Sequence, residues 1–217
     1  MAIRILLTRH GETDWNRTHR FQGRQGLPLN EKGREQAGSL AMALKNEPLA
    51  AIYSSPLKRA LETARIIGAY HPSVPAYEDK GLVEMDLGKF DGMEAKKWAR
   101  EYPDFLEAWQ KDPSNVRMPG GETLQEVQDR AMDAIKRITQ SYPTDTTILV
   151  SSHNFVNLVI LCRAKKIPLA RFREIPQGTA ALNILYKKRE GLWAEVVNDQ
   201  THIQSEAGPD TSKKYRG

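Results

Sequence analysis

The chain has 217 residues, which allows one large domain or two small ones. Hydrophobic residues make up 40% of the sequence and charged residues 27%, a globular balance that excludes a disordered or fibrous protein. The single cysteine, Cys162, excludes an internal disulfide and a thiolate metal site, whereas the net charge of +5 suits either an anionic small molecule or a nucleic acid as ligand.

Short apolar runs alternate with amphipathic segments along most of the chain. The predicted strands lie at residues 3–8, 50–54 and 146–150, with a hairpin at 182–186 and 193–197. The predicted helices lie at residues 33–44, 57–70, 122–141 and 155–162. This alternation predicts an α/β fold, a three-layer sandwich with a mainly parallel central sheet and helices on both faces.

The segment 89–120 differs in composition from the rest of the chain. Its aromatic residues Trp98, Tyr102, Phe105 and Trp109 follow a helical spacing that Pro103 interrupts, which predicts two short helices with a shared aromatic face. These rings either pack the helices onto the main domain or stack on a flat organic ligand. We interpret residues 1–204 as a single domain and the Gly-, Pro-, Ser- and Lys-rich residues 205–217 as a flexible tail.

No segment of the sequence fits a signal peptide or a membrane span. The apolar N-terminal stretch is short and is interrupted by Arg4, and the long weakly charged run at 143–162 contains Asp145, Asn154 and Asn157. A lone cysteine also suits a reducing compartment. We therefore expect a cytoplasmic protein.

Histidines directly follow two of the predicted strands. Arg9 and His10 come after the strand at 3–8, and His153 comes after the strand at 146–150. An isolated histidine is more often a core side chain than a functional one, but the repetition at two strand ends favours a site. Because ligands of open α/β sheets bind beyond the carboxyl ends of the strands, we expect the two histidines to meet there.

The end of the strand at 50–54 has features of an anion site. Arg59 lies at the start of the following helix, where backbone N–H groups and a guanidinium both favour a phosphate. Glu84 lies among apolar residues, and such surroundings keep a carboxyl group protonated and available as a general acid. The competing interpretations are a solvent-exposed helix charge for Arg59 and a loop acid paired with an arginine for Glu84.

The segment 7–16, with the sequence LTRHGETDWN, resembles the signature of the histidine phosphatase superfamily, phosphoglycerate mutase-like branch. The resemblance continues in the same order through further blocks: Phe21-Gln22-Gly23, Pro28-Leu29 with Gly33 and Gln36-Ala37, residues 53–64, Glu84 with Gly88 and Gly92, Gly121-Glu122-Thr123 with Arg130, and residues 150–153. These blocks cover residues 3 to about 200. Such an ordered set is far more specific than a single Arg-His-Gly motif.

The resemblance implies a phosphatase that needs no metal and no cofactor. His10 would attack phosphorus and carry the phosphoryl group, while Glu84 would protonate the leaving alkoxide and then activate water. Other residues would bind the substrate: Arg9, Arg59 and His153 as a clamp on the phosphoryl oxygens, with Asn16, Gln22, Gly23 and Asn154 beside them. The resemblance also implies that the insertion at 89–120 caps the active site.

Three positions depart from the family pattern. Asn154 follows the second histidine, where the family commonly has glycine, and adds a polar side chain to the pocket. Gly26 replaces an aspartate of many members and removes an acid near the entrance. The pair Ser151-Ser152 precedes His153 and has no catalytic role that the sequence assigns. None of these departures removes a catalytic residue, so we expect activity.

The superfamily contains phosphatases and sugar-phosphate mutases. The chain lacks the Tyr-Gly element that typically follows the acid in 2,3-bisphosphoglycerate-dependent phosphoglycerate mutases, and a short segment separates Glu84 from Gly120. We therefore predict a phosphatase, with a mutase as the alternative.

The ligand would be a small phosphorylated metabolite, with phosphoserine, α-ribazole phosphate and 3-phosphoglycerate as candidates. A homodimer is compatible with the resemblance, since members of the family are often dimers.

A binding function is the alternative of a different class. Residues 163–173 contain five basic residues and no acid, which equals the whole net charge. No aromatic interleaving or binding motif accompanies them, so we expect a solvent-exposed basic loop and neither a nucleic-acid nor a membrane partner. A catalytically weak module that binds a phosphate ligand or a protein would lack a catalytic residue, and the sequence lacks none.

Overall fold

A six-stranded sheet forms the centre of the molecule, with the strands in the order β3-β2-β4-β1-β5-β6. The structure, a computed structural model, describes residues 2–203. Its strands are β1 (Ile3–Arg9), β2 (Leu49–Ser54), β3 (Ala76–Glu78), β4 (Thr147–Ser152), β5 (Leu182–Lys188) and β6 (Gly191–Asp199). The first four strands run parallel, and β5 pairs antiparallel with both β1 and β6. The sheet is therefore mixed and mainly parallel, as predicted.

The α-helices described between residues 2 and 203 are α1 (Asp14–Arg17), α2 (Glu31–Leu44), α3 (Lys58–Gly68), α4 (Ala95–Glu101), α5 (Pro103–Lys111), α6 (Leu124–Gln140) and α7 (Asn154–Lys165). Short 3-10 turns occur at Lys80–Leu82, Gly88–Phe90, Leu169–Glu174 and Thr201–Ile203. Side-chain caps define two of the helix starts. Thr123 forms a capping box with Glu126 at the start of α6, and Asn30 caps α2.

Alternate side chains of β1 pack into two separate apolar layers. Ile5 and Leu7 contact the face covered by α6 and α7, whereas Leu6 contacts the face covered by α2 and α3. All six residues of β4 are buried, as expected for a central parallel strand that helices cover on both faces. This arrangement confirms the predicted sandwich.

The aromatic residues of the insertion pack mainly against one another and against the main domain. Phe90 lies 4.9 Å from both Tyr102 and Phe105, measured between ring centroids, and Trp109 lies 6.4 Å from Phe155 of α7. A cavity of about 70 Å³ remains between these rings. Of the two interpretations of the aromatic face, packing onto the main domain is the one that the contacts support. The predicted tail at 205–217 lies outside the described residues.

The basic stretch 163–173 is only partly a solvent-exposed loop. Arg163 and Lys165 lie in the last turn of α7, where positive side chains stabilise the helix by interacting with its C-terminal carbonyl groups. Arg173 lies 4.7 Å from the ring of Phe172 and donates a hydrogen bond to the carbonyl of Trp109 at 2.9 Å. One of the five basic residues therefore fastens the insertion to the domain.

Among the helices described, none combines the length and the apolar character that crossing a bilayer requires.

Candidate active site

The two predicted histidines lie side by side at the carboxyl edge of the sheet. Their ring centroids are 5.3 Å apart and both side chains are buried. β1 and β4 stay paired to their ends, where Arg9 lies opposite Ser152. The N–H of His10 then donates to the carbonyl of Ser152, and its carbonyl accepts from the N–H of Ala180, both at 3.0 Å. The main chain of His10 is therefore fixed on both sides.

The hydrogen bonds of the His10 ring define its tautomer. Nδ1 donates to the carbonyl oxygen of Gly11 at 2.7 Å, and Nε2 accepts a hydrogen bond from Nε of Arg59 at 3.2 Å. Burial lowers the pKa of His10 well below its ordinary value, and the positive charges of Arg59 and Arg9 lower it further. The imidazole is therefore neutral at physiological pH, with the lone pair of a nucleophile on Nε2.

Glycine at position 11 permits a close approach between the histidine loop and the start of α2. A Cβ atom on Gly11 would lie 2.2 Å from the carbonyl oxygen of Gly33, closer than any side chain tolerates. The N–H of Gly11 donates to the hydroxyl of Thr63 in α3. Two helices thus hold the residue that accepts the His10 hydrogen bond.

Arg59 is fully buried and reaches the site from the first turn of α3. Its Nη1 donates to the carbonyl of Gln25 at 2.8 Å and its Nη2 donates to the carbonyl of Gly23 at 2.7 Å. Burial lowers the pKa of Arg59 to about 10, so the side chain keeps its positive charge at physiological pH. The interpretation of Arg59 as a solvent-exposed helix charge is therefore wrong.

Half-buried Gln177 and buried Asn183, which the sequence analysis missed, support Arg9. Its Nη1 donates to the carbonyl of Gln177 at 2.5 Å. The side chain of Gln177 donates to Oδ1 of Asn183, and Nδ2 of Asn183 donates to the carbonyl of Leu7 in β1. Burial lowers the pKa of Arg9 to about 10, so this side chain is also charged. These partners lie some 170 residues away along the chain, and no local sequence pattern indicates them.

His153 takes its orientation from Ser55. Nε2 of His153 lies 2.7 Å from the Ser55 hydroxyl, which itself accepts the N–H of Leu57. Among the described residues Nε2 is the acceptor within reach of the hydroxyl proton, so we assign Ser55 as the donor, which leaves the ring proton of neutral His153 on Nδ1. Burial lowers the pKa of His153 well below its ordinary value. Ser55 lies in the block that carries the resemblance, but the sequence assigned it no contact.

Glu84 lies at the same edge, with its carboxyl group buried. Oε1 accepts the N–H of Met85 at 2.8 Å, and Oε2 accepts the N–H of Phe155 in the first turn of α7 at 3.2 Å. Burial raises the pKa of Glu84, while these hydrogen bonds and the charges of Arg59 and Arg9 oppose the rise. The net increase favours a carboxyl group that still has a proton to give near neutral pH.

Asn16 and Gln22 both contact Thr13 near the start of α1. Oδ1 of Asn16 accepts hydrogen bonds from the backbone and the hydroxyl of Thr13, each at 3.0 Å. Nε2 of Gln22 donates to the same hydroxyl at 2.5 Å. These contacts bring the amide of Asn16, in α1, and the amide of Gln22, next to Gly23 in the following loop, together at Thr13. Their donation to a phosphoryl oxygen stays a prediction.

Gly23 and Asn154 have different positions in the structure. The N–H of Gly23 donates to Oδ1 of Asp91 at 2.9 Å, and its carbonyl accepts from Arg59, so Gly23 holds the arginine. Asn154 is the first residue of α7 and is half-buried directly after His153. A direct contact of either residue with substrate stays a prediction.

The serine pair before His153 fastens neighbouring segments to β4. The hydroxyl of Ser151 donates to the carbonyl of Ala60 in α3 at 2.9 Å. The hydroxyl of Ser152 donates to the carbonyl of Leu82 at 2.8 Å, two residues before Glu84. The pair therefore fixes the elements that carry Arg59 and Glu84, which is the function that the sequence did not reveal.

Two buried nitrogens near the neutral His10 ring have no hydrogen-bond partner in the part of the chain that the structure describes. Over residues 2–203, Nε of Arg9 and Nδ1 of His153 are buried without a hydrogen-bond partner. Buried donors are nearly always paired in folded proteins, so these two are available for the oxygens of an anion. In the same residues, no group of three or more His, Cys, Asp or Glu side chains is arranged to hold a metal ion. The positive charge at the site comes from the two arginines.

Known proteins resemble this chain over nearly its whole length. Residues 5–200 match the family model described as histidine phosphatase superfamily (branch 1). Phosphoserine phosphatase 1 of Hydrogenobacter thermophilus is 30% identical over 93% of this chain and 94% of its own length. Phosphoglycerate mutase-like protein 4 of Arabidopsis thaliana is 35% identical over 92% and 86% of the two chains. The structure of Bacillus stearothermophilus YhfR superposes with a TM-score of 0.87 at 33% identity, over 94% of this chain and 100% of that one.

Proposed function

The chain belongs to the histidine phosphatase superfamily, branch 1, and we propose that it is a metal-independent phosphatase that hydrolyses small phosphomonoesters through a phosphohistidine at Nε2 of His10. The observation that carries the proposal is the neutral ring of His10, whose Nε2 lone pair faces the buried guanidinium of Arg59. A nucleophile beside fixed positive charge is the arrangement that phosphoryl transfer needs. The likeness of this chain to a phosphoserine phosphatase over nearly its full length supports the same reaction class.

In the first chemical step, Nε2 of His10 attacks phosphorus while the bond to the leaving oxygen breaks. The leaving oxygen takes the proton of Glu84, so the alcohol departs neutral and the carboxylate remains. Arg9, Arg59 and Nδ1 of His153 bind the equatorial oxygens, where negative charge accumulates in the transition state. The Nδ1 proton of His10 stays hydrogen-bonded to the carbonyl of Gly11 throughout and stabilises the positive ring of the intermediate.

In the second step, water attacks the phosphohistidine. The Glu84 carboxylate takes a proton from that water as the new P–O bond forms and the P–N bond breaks. Inorganic phosphate leaves, and His10 and Glu84 return to their starting protonation states. The arginines supply the charge stabilisation that a metal ion provides in many other phosphatases.

A phosphoglycerate mutase is the second candidate, because one relative has a mutase-like name. A mutase must return the phosphoryl group to a substrate before water reaches it, so its phosphoenzyme is long-lived. The phosphatase proposal therefore expects rapid release of inorganic phosphate and weak or absent transfer to 3-phosphoglycerate.

The proposed ligand is a small phosphorylated metabolite, and phosphoserine is the first compound to test because of the relative just described. α-Ribazole phosphate and 3-phosphoglycerate complete the initial panel. Nucleic acid and membranes have no place in the mechanism. The free, buried Cys162 supports the cytoplasm as the proposed location.

The experiment measures p-nitrophenyl phosphate hydrolysis in the presence of EDTA, together with labelling of the phosphoenzyme from a radioactive phosphomonoester. We expect activity with EDTA and an acid-labile, base-stable label on the wild-type protein. His10→Asn should abolish both signals. The matched control is His19→Asn, since His19 is exposed and has φ 52°, a conformation that asparagine tolerates.

Three outcomes would overturn the proposal. Strict dependence on added divalent metal contradicts the metal-free mechanism. Labelling that survives His10→Asn removes His10 from the nucleophile's position. Ligand binding without any turnover over the panel supports the binding module instead.

A further inference from the structure

Glu122 and Arg130 form a half-buried ion pair that the mechanism above does not use. Glu122 follows the Gly120-Gly121 loop, and Arg130 lies two turns into α6. Nε of Arg130 donates to Oε1 of Glu122 at 2.9 Å, and Nη2 donates to Oε2 at 3.0 Å. The exposed fractions of the two side chains are 21% and 17%, so the bidentate pair is largely shielded from solvent.

Both side chains hold the segment that carries Glu84. Nη1 of Arg130 donates to the carbonyl of Gly81 at 2.9 Å, and Nη2 donates to the carbonyl of Glu84 itself at 3.2 Å. Oε2 of Glu122 accepts the N–H of Asp86, and the N–H of Glu122 donates back to the carbonyl of Asp86, both at 2.9 Å. The pair therefore binds the main chain before, at and after the general acid.

The Gly120-Gly121 loop lies close enough to this segment that only glycine fits. A Cβ atom on Gly121 would lie 2.2 Å from the carbonyl oxygen of Asp86. This contact brings the backbone of Glu122 within hydrogen-bonding distance of Asp86. The motif Gly121-Glu122-Thr123 with Arg130 thus has a local physical reason.

Arg24 extends the ion pair to the loop that holds Arg59. Nη2 of Arg24 lies 3.0 Å from Oε1 of Glu122, and Nη1 lies 3.3 Å from Oδ2 of Asp86. The carbonyls on either side of Arg24, those of Gly23 and Gln25, are the acceptors for the Arg59 guanidinium. Glu122 therefore connects the general-acid segment to the phosphate-binding arginine.

The charge of Glu122 is stable at physiological pH. Burial alone would raise the pKa of Glu122, but hydrogen bonds from Arg130 and from the N–H of Asp86, with the charges of Arg130 and Arg24, lower it below its ordinary value. The carboxylate is therefore ionised whenever the catalytic groups work, and its contacts do not depend on pH near neutrality.

We propose that Glu122 and Arg130 are positioning residues, which hold the Glu84 carboxyl group in register with the Arg59 loop during proton transfer. This inference rests on the proposed function of Glu84 as general acid. Catalytic efficiency is sensitive to sub-ångström placement of such a group, so loosening the segment costs rate specifically in the step that needs the proton. A purely structural pair would instead affect all substrates equally.

The test compares Glu122→Gln with the wild type on phenyl phosphate, a poor leaving group, and on p-nitrophenyl phosphate, a good one. The substitution keeps the shape of the side chain but removes the charge that binds both arginines. We expect kcat/KM to fall about tenfold or more for phenyl phosphate and less than about threefold for p-nitrophenyl phosphate. The alkaline limb of the phenyl phosphate profile should move to lower pH, because the positive charge of Arg130 is no longer neutralised beside Glu84.

The matched control is Glu126→Gln, in the first turn of α6, the helix that carries Arg130. Glu126 pairs with Arg117 at the surface, with 45% of its side chain exposed, and its other hydrogen bonds join it to Thr123 rather than to residues 81–86. This control should change kcat/KM less than about twofold for either substrate and leave the pH profile in place.

Arg130→Lys supplies a second variant, since lysine keeps the charge but cannot donate to Glu122, Gly81 and Glu84 together. It should show the same preference for loss on phenyl phosphate, even if Glu122→Gln fails to fold. Equal losses on both substrates, or a pH profile that matches the wild type, would overturn the inference. If Glu84→Gln itself shows no leaving-group dependence, the proposed function fails; if Glu84→Gln does and both positioning variants do not, only this inference fails.

Discussion

Nε of Arg59 donates a hydrogen bond to Nε2 of His10 across 3.2 Å. The guanidinium therefore covers the lone pair that the mechanism uses, and a phosphoryl group must replace this contact with contacts to its own oxygens. The exchange keeps both partners satisfied, because Nη1 and Nη2 of Arg59 remain on the carbonyls of Gln25 and Gly23. In the proposed mechanism, substrate binding would therefore free the Nε2 lone pair of His10 while those two contacts of Arg59 stay in place.

Arg59→Lys should reduce kcat/KM for p-nitrophenyl phosphate about 10² to 10³-fold, because an ammonium group cannot contact His10, Gln25 and Gly23 together. Steady-state kinetics measure the loss, and circular dichroism checks that the variant folds. Arg65→Lys is the matched control, since Arg65 is exposed on the same helix. If kcat/KM falls less than about threefold in Arg59→Lys, the planar guanidinium with its several N–H donors is not needed at this position.

Glu84→Gln should remove the alkaline limb of kcat/KM for a poor leaving group. Burial raises the pKa of Glu84, and its protonated form is the active acid, so wild-type activity falls as pH rises through that pKa. The variant has no proton to lose and should follow only the titration of the substrate, with a loss of about 10²-fold or more on phenyl phosphate. The hypothesis fails if the wild type and the variant show the same alkaline limb.

Ser55→Ala should reduce kcat/KM about tenfold, because it removes the hydroxyl that keeps the proton of His153 on Nδ1. The expected change is a rise in KM and a fall in the affinity for vanadate or phosphate, measured by inhibition. Thr139→Val is the matched control, since the hydroxyl of Thr139 is also buried but bonds carbonyls of its own helix, those of Ile135 and Lys136. Equal effects of the two variants on inhibition would remove the specific contribution of Ser55.

The protein should lose stability in mild acid through His10 and His153. Burial and the arginine charges hold both folded-state pKa values well below 6.5, whereas the unfolded chain protonates its histidines near 6.5. The unfolded state therefore binds more protons below pH 6.5, and each histidine should lower the free energy of unfolding by about 1.4 kcal/mol per pH unit there. Urea denaturation between about pH 7.5 and 5 measures the slope.

His153→Asn should reduce the slope below pH 6.5 by the contribution of one histidine. Above about pH 7.5 the pH dependence of the free energy of unfolding should be the same as in the wild type. His19→Asn, at an exposed site, should leave the slope as it is in the wild type. A slope in His153→Asn equal to that of the wild type would mean that His153 binds its proton as readily in the folded state as in the unfolded one.

The strand ends could be predicted because their pattern is local. Apolar, β-branched runs that end in Arg9-His10 and in His153 place both rings at one edge of a parallel sheet, whatever the detailed register. β4 ends two residues later than predicted, because polar Ser151 and Ser152 are buried and pair through their hydroxyls. α7 ends three residues later than predicted, at Lys165.

Other features have no local signal. β3 consists of three exposed residues, so no apolar alternation indicates it. It pairs with β2 through its backbone and through the ring of Tyr77, which lies 5.2 Å from the ring of Tyr53. Gln177 and Asn183 support Arg9 from the far end of the chain, and their amide contacts depend on the fold rather than on spacing. Glu122 and Arg130 were visible as a motif, but their partners are mainly backbone carbonyls and N–H groups, which nearly every residue has.

The peptide group of His10 is bonded on both sides, to Ser152 and to Ala180. Its amide hydrogen is therefore part of the sheet and exchanges with solvent only when the central strands separate. By contrast, the side chain of Arg24 is 44% exposed, so its ion pairs with Asp86 and Glu122 can open without any change in the sheet. Hydrogen exchange at the His10 amide should therefore report the opening of the central strands, whereas the Arg24 ion pairs open independently of it.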